Sequence, residues 1–114
     1  MQVQVNTDKN IVGGERLTQF VTTTIDAKLH RFGGQITRVE AHLSDENGHK
    51  SHGNDKKCVL EARPAGLQPI AVTHLAATLD QAIHGAVEKL ERLLESTFGH
   101  LNHPKGAMPP PDIV

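Results

Sequence analysis

The residues of this chain with the widest chemical reach are its eight histidines and its single cysteine. His49 and His52 form an H-x-x-H pair inside the polar run DENGHKSHGND, and Cys58 follows six residues later. Imidazole and thiolate are good zinc ligands, and histidine titrates near neutral pH. A structural zinc site takes four ligands, however, and no fourth stands close in sequence. His100 and His103 repeat the spacing near the C-terminus with the same shortfall. Surface histidines without a bound metal are the expectation. Cys58 alternates with Leu60 and Ala62, which turns it toward a core, whereas a nucleophilic thiol needs an exposed, electropositive setting. A helix-borne H-E-x-x-H, a glycine-rich phosphate loop ahead of a helix and a nucleophile elbow are absent. The residues therefore point away from an enzyme, from a cofactor and from a small-molecule substrate.

Cations are the second resource. Lys28 and Arg31 stand three apart, Lys89 and Arg92 repeat that spacing, and Lys56 is adjacent to Lys57. Residues three apart share a helix face, so each pair could meet backbone phosphates, which position a domain on RNA without reading its sequence. The plainer alternative is a solvated surface, with Arg92 paired to Glu88 or Glu95 at helical spacing. Overall charge gives no push toward nucleic acid: twelve Lys and Arg against thirteen Asp and Glu leave −1, where a nucleic-acid binder usually shows a basic excess or stripe. Three phenylalanines, with no Trp or Tyr, also argue against a base-stacking platform.

These residues need elements to hold them. Val3 and Val5 alternate with Gln2, Gln4 and Asn6, a short half-buried strand. From about Glu15 to Arg31, Leu17, Phe20, Val21, Ile25, Leu29 and then Phe32 fall at helical intervals. Thr22, Thr23 and Thr24 have poor helix propensity, so packing must hold this helix, and Gly33-Gly34 is expected to end it in a left-handed turn. Gln35–Ser44 reads as a strand with Thr37, Val39, Ala41 and Leu43 on one face and Arg38, Glu40 and His42 on the other. Asp45 to Asp55 is a surface loop. A third strand carries Cys58, Leu60 and Ala62 inward. Pro64-Ala-Gly66 turns the chain into a fourth strand near Pro69–Ala76, with Ile70, Val72 and Leu75. Thr78 and Gln81 form a capping box ahead of Leu79, Ala82, Ile83, Ala86, Val87, Leu90, Leu94 and Phe98, the strongest amphipathic stretch. The order is β-α-β-β-β-α, an α+β fold whose four-stranded sheet carries both helices packed on one face.

Length and composition agree with one domain. A chain of 114 residues with ten glycines, six prolines and 37% hydrophobic residues is globular. No apolar run approaches the roughly 20 residues of a membrane span, and Met1-Gln-Val-Gln-Val-Asn6 has no basic n-region. One cysteine suits a reducing compartment. A cytoplasmic protein without a membrane partner is expected, with a domain over 1–101 and a short Pro-rich tail over 102–114.

Three segments in this order resemble the hibernation promoting factor / ribosome-associated inhibitor A family. They are Phe20-Val21-Thr22 through Ala27-Lys28-Leu29, Ile36 through Val39-Glu-Ala-His-Leu43, and Leu79-Asp-Gln-Ala-Ile83 followed by Lys89-Leu-Glu-Arg92. The resemblance spans roughly residues 1–101 and fits a short form. It implies a fold like a double-stranded RNA-binding domain. It also implies a non-catalytic factor bound to the 30S ribosomal subunit near the decoding channel, inhibiting translation in stress or stationary phase. On that reading Lys28, Arg31, Lys56, Lys57, Lys89 and Arg92 meet 16S rRNA. Lys89 and Arg92 match the family's basic positions on the last helix, but residues 79–98 hold two positive and four negative charges, and Asp80 replaces a family tyrosine. The alternative is the same fold acting as a protein-interaction module through that acidic helix.

Overall fold

The computed structural model describes residues 1–46 and 53–102, with the backbone alone for 100–102. His49, His52, His103 and the proposed tail from residue 103 on lie outside the described residues, as does the side chain of His100, while the backbone of Asn102 still belongs to the last helix. Strand β1 (Gln2–Thr7) leads to helix α1 (Glu15–Leu29), and a 3-10 turn (His30–Phe32) follows. Strands β2 (Ile36–Asp45), β3 (Lys56–Pro64) and β4 (Ile70–Ala76) come next, then helix α2 (Leu79–Asn102). The sheet order is β1-β2-β3-β4. β1 runs parallel to β2, with Val3 opposite Val39 and Val5 opposite Ala41, and α1 supplies the crossover that parallel pairing requires. β2, β3 and β4 form the antiparallel meander.

One hydrophobic core lies between the sheet and the helices. Val39, Ala41 and Leu43 from β2 and Cys58, Leu60 and Ala62 from β3 are buried against Val21, Ile25 and Leu29 of α1 and Ile83, Leu90 and Leu94 of α2. Strand period two and helix period 3.6 thus bring their apolar faces to one layer. Truncating a fully buried leucine here, such as Leu90, would cost about 2–5 kcal/mol. The threonine run of α1 is held as its low propensity demands. Val21 and Ile25 flank it in the core, and buried Thr24 donates its hydroxyl to the Phe20 carbonyl at 2.7 Å. α2 begins at the expected cap, with the Gln81 amide donating to Thr78 Oγ1 at 3.1 Å.

Three local expectations are corrected. Thr37 does not share the buried face: the register shifts between Ile36 and Arg38, so Ile36 turns inward and Thr37 outward. Its hydroxyl donates to the Arg63 carbonyl at 2.9 Å. Phe20 sits at the edge of the core and remains 36% exposed. Gly33 is right-handed (φ −58), because the 3-10 turn, with Gln35 N–H bonded to the Phe32 carbonyl, already redirects the chain. Among the described residues the left-handed glycines are Gly14, Gly53 and Gly66.

Candidate nucleic-acid interface

α1 and α2 lie side by side over the sheet. Near their starts the Phe20 and His84 rings meet edge to face at 5.7 Å. Near the end of α1, Arg31 reaches Glu91 and Glu95 of α2, each at 3.2 Å. The outer surface of this helix pair carries Lys28, exposed and in no ion pair with a described residue, and Arg92, whose side chain is 73% exposed. Arg92 stands 4.0 Å from Glu88, a pairing loose enough to yield to a phosphate. Lys89 takes no carboxylate among the described residues. Its ammonium donates to the Thr73 carbonyl at 2.8 Å, which fixes the charge where α2 overhangs β4. Lys89, Arg92, Leu93 and Ser96 line a shallow depression of about 330 Å³ there.

The six expected cations occupy three places rather than one. Lys28 and Arg31 lie at the C-terminal end of α1, and Lys89 lies over β4 with Arg92 beside it on α2. Lys56 and Lys57 begin β3 at the opposite end of the sheet. Lys56 is held between Asp45 (3.3 Å) and Asp55 (2.9 Å), both carboxylates being buried. The Asp55 hydrogen bond, helped by Asp45, holds its ammonium above the ordinary lysine range. Lys57 points to the helix-free face of the sheet, 3.7 Å from Glu46, beside His42 and Ser44. Arg31 and Lys56 are thus occupied within the fold, while Lys28, Lys89 and Arg92 present their charge outward.

Arg16 is a cation that pattern reading passed over. It makes no ion pair with a described residue and rims a groove of about 500 Å³ between the starts of the two helices. Val12, Leu17, Phe20, Leu79 and Ile83 form the apolar walls. Only its place in the first turn of α1, away from the apolar stripe, could have flagged it.

Cys58 is fully buried, and burial pushes its thiol up to about 12, so it is protonated at neutral pH. Among the described residues no group of three His, Cys, Asp or Glu could hold a metal ion. Among them too, no helix is long and apolar enough to cross a membrane.

Comparison with known proteins decides the family. Residues 4–100 match the sigma 54 modulation protein / S30EA ribosomal protein family. The chain belongs to that family. This is the hibernation promoting factor family that the three sequence segments resemble. The fold agrees with that of the Thermus thermophilus Protein Y N-terminal domain, with a TM-score of 0.69 at 18% identity over 85% of this chain and 99% of that one. It agrees also with a ribosomal subunit interface protein from Coxiella burnetii, with a TM-score of 0.64 at 15% identity over 87% of this chain and 99% of that one. No protein with a curated description matches the sequence. The β-α-β-β-β-α order and the mixed four-stranded sheet are those of the S30AE domain structures.

Proposed function

We propose that this family member is a non-catalytic, cytoplasmic factor that binds the 30S ribosomal subunit near the decoding channel and inhibits translation in stressed or stationary cells. Family membership over residues 4–100 carries the reading. The outward cations of the helix layer supply its chemistry. Lys28, Lys89 and Arg92 contact 16S rRNA phosphates, and Lys57 adds a contact from the far end of the sheet. Arg31 and Lys56 act by holding the frame, since both are committed to carboxylates inside the fold. Phosphate contacts need no base-specific geometry, which suits a domain with only one exposed phenylalanine, Phe20.

The rival use of α2 as an acidic docking helix finds less support. Three of the four carboxylates of α2 have a close cationic or imidazole partner within the fold, Asp80 with His84 at 3.0 Å and Glu91 and Glu95 with Arg31 at 3.2 Å, and only Glu88, 4.0 Å from Arg92, is loosely held. A partner would have to displace those contacts.

Co-sedimentation of the purified protein with 30S subunits across a salt series tests the proposal. Binding should fall steeply with salt. The Lys89→Glu/Arg92→Glu variant should lose it, and Lys28→Glu should weaken it, each lost contact flattening the log–log slope by roughly 0.7–0.9. Absence of binding at low salt would overturn the ribosomal reading for this chain.

A further inference from the structure

β4 is an edge strand with the composition of a strand that pairs with itself. Its seven residues, Ile-Ala-Val-Thr-His-Leu-Ala, include no lysine, arginine, carboxylate or proline. They are apolar everywhere except Thr73 and His74. Natural edge strands are normally protected by a charge, a proline or a bulge, and a neutral apolar run of this length without one is prone to add another strand. The other edge, β1, alternates valine with Gln2, Gln4 and Asn6 and is correspondingly more polar.

The missing protection comes from α2. Thr73 stands opposite Val59 in the β3–β4 register, yet its carbonyl accepts from Lys89 Nζ at 2.8 Å. That carbonyl therefore points away from β3, along the free edge. Alternation in an antiparallel ladder gives Ala71 and Leu75 the same outward backbone groups. All three side chains are exposed on the helix-free face.

This edge is also self-complementary. A second copy paired antiparallel about Thr73 sets Thr73 against Thr73, Ala71 against Leu75 and Val72 against His74. Thr–Thr and apolar cross-strand pairs are favourable, and no like charges meet within the strands. The dyad falls on the Thr73 carbonyl that Lys89 occupies, so pairing would strip away that hydrogen bond and bring two ammonium groups together. We propose that Lys89 guards a latent self-association edge, and that β4 pairs antiparallel with β4 of a second copy once this ammonium no longer covers Thr73.

Sedimentation velocity of the purified full chain over a concentration series tests this without ribosomes, so the result is independent of the phosphate-binding reading. The wild type and Lys89→Arg, which keeps charge and donor, should be monomeric. Lys89→Met should shift with concentration to twice the monomer mass. Adding Thr73→Pro should restore the monomer, because proline removes only an outward N–H and is tolerated at such a position. Amide exchange at Ala71, Thr73 and Leu75 should slow with concentration in Lys89→Met alone. If Lys89→Met fails to fold, Lys89→Ala, which likewise has no side-chain donor, takes its place and is read the same way. A folded, charge-removed variant that stays monomeric throughout overturns the proposal, as does a dimer that survives Thr73→Pro or a wild type that is already dimeric.

Discussion

Arg31 Nη2 lies 3.2 Å from Glu91 Oε2, tying the turn after α1 to the middle of α2 across 60 residues of sequence. The same nitrogen is 3.2 Å from Glu95 Oε2, and the guanidinium sits 4.5 Å over the Phe32 ring. Phe32 in turn packs against Phe98 at 5.6 Å. One side chain thus joins the charged outer surface of the helix pair to the aromatic end of the core. Arginine suits this position because its flat guanidinium stacks on a ring while still donating in its own plane.

Replacing Arg31 by methionine should lower stability by about 1 kcal/mol in urea titration, an exposed ion-pair contribution plus a cation–π contact. The Arg31 side chain is 46% exposed, so a double-mutant cycle with Glu91→Gln should return a coupling of under about 1 kcal/mol. The salt slope of ribosome binding should stay as in the wild type. A slope flattened as much as by loss of Lys89 would instead make Arg31 a phosphate contact.

Gly85 of α2 lies directly against the His74 ring of β4. A Cβ at position 85 would fall 2.1 Å from His74 Cδ2 and 2.7 Å from its Cγ. Gly85→Ala should therefore destabilise by about 1–3 kcal/mol through overpacking, less up to about 1 kcal/mol gained in helix propensity. Combining it with His74→Ala should recover most of the loss, since the obstructing ring is gone. Thermal or urea unfolding of the two single variants and the double variant gives the answer. A Gly85→Ala protein as stable as the wild type would show that His74 moves aside without cost.

What could be read along the chain was what repeats locally. Val39, Ala41 and Leu43, then Cys58, Leu60 and Ala62, announce their strands by alternation, and Leu79 to Phe98 announces its helix by threes and fours. All are buried where that periodicity places them, apart from Leu79, which packs at the margin. The exceptions come from contacts between distant segments. The irregularity that turns Thr37 outward exists only against Arg63 on β3. The spacing of Lys28 and Arg31 suggests one shared face, but Arg31 is drawn to α2 by Glu91 and Glu95. Lys89 has acidic neighbours on either side at Glu88 and Glu91, yet it bonds a backbone carbonyl of β4. Cations are the least legible residues because their stems are long and their partners are chosen by tertiary structure.

Lys56 should matter to folding rather than to charge on the surface. Its ammonium lies between two buried carboxylates, Asp45 and Asp55, at the two ends of the loop joining β2 to β3. Lys56→Met should lower the unfolding midpoint, and adding Asp45→Asn and Asp55→Asn should recover part of it by removing the charges that the ammonium answers. A lysine raised above its ordinary value of 10.5 lends stability that is whole below that pH and is lost as pH climbs through the folded value. The wild type should therefore lose this contribution only above pH 10.5, and Lys56→Met should show no such loss. A variant with the wild-type midpoint would make the contact incidental.

Cys58 sets a different alkaline limit. Burial raises its thiol from 9.0 to about 12, so the folded protein keeps the proton while the unfolded chain releases it. The sign follows: this contribution is intact below pH 9.0 and declines as pH rises toward about 12. The chain has no tyrosine, which removes the usual competing titration, and Lys56 acts only above 10.5. Between pH 9.0 and 10.5, then, a fall in unfolding free energy belongs mainly to this thiol. Cys58→Ala should be less stable by a pH-independent amount, from the small cavity left behind, and should lose the slope in that window. Thiol reagents should modify the wild type only as fast as it opens. A native protein that reacts at the rate of a free thiol, or a Cys58→Ala variant with an unchanged slope, would show that the sulfur is not the group titrating.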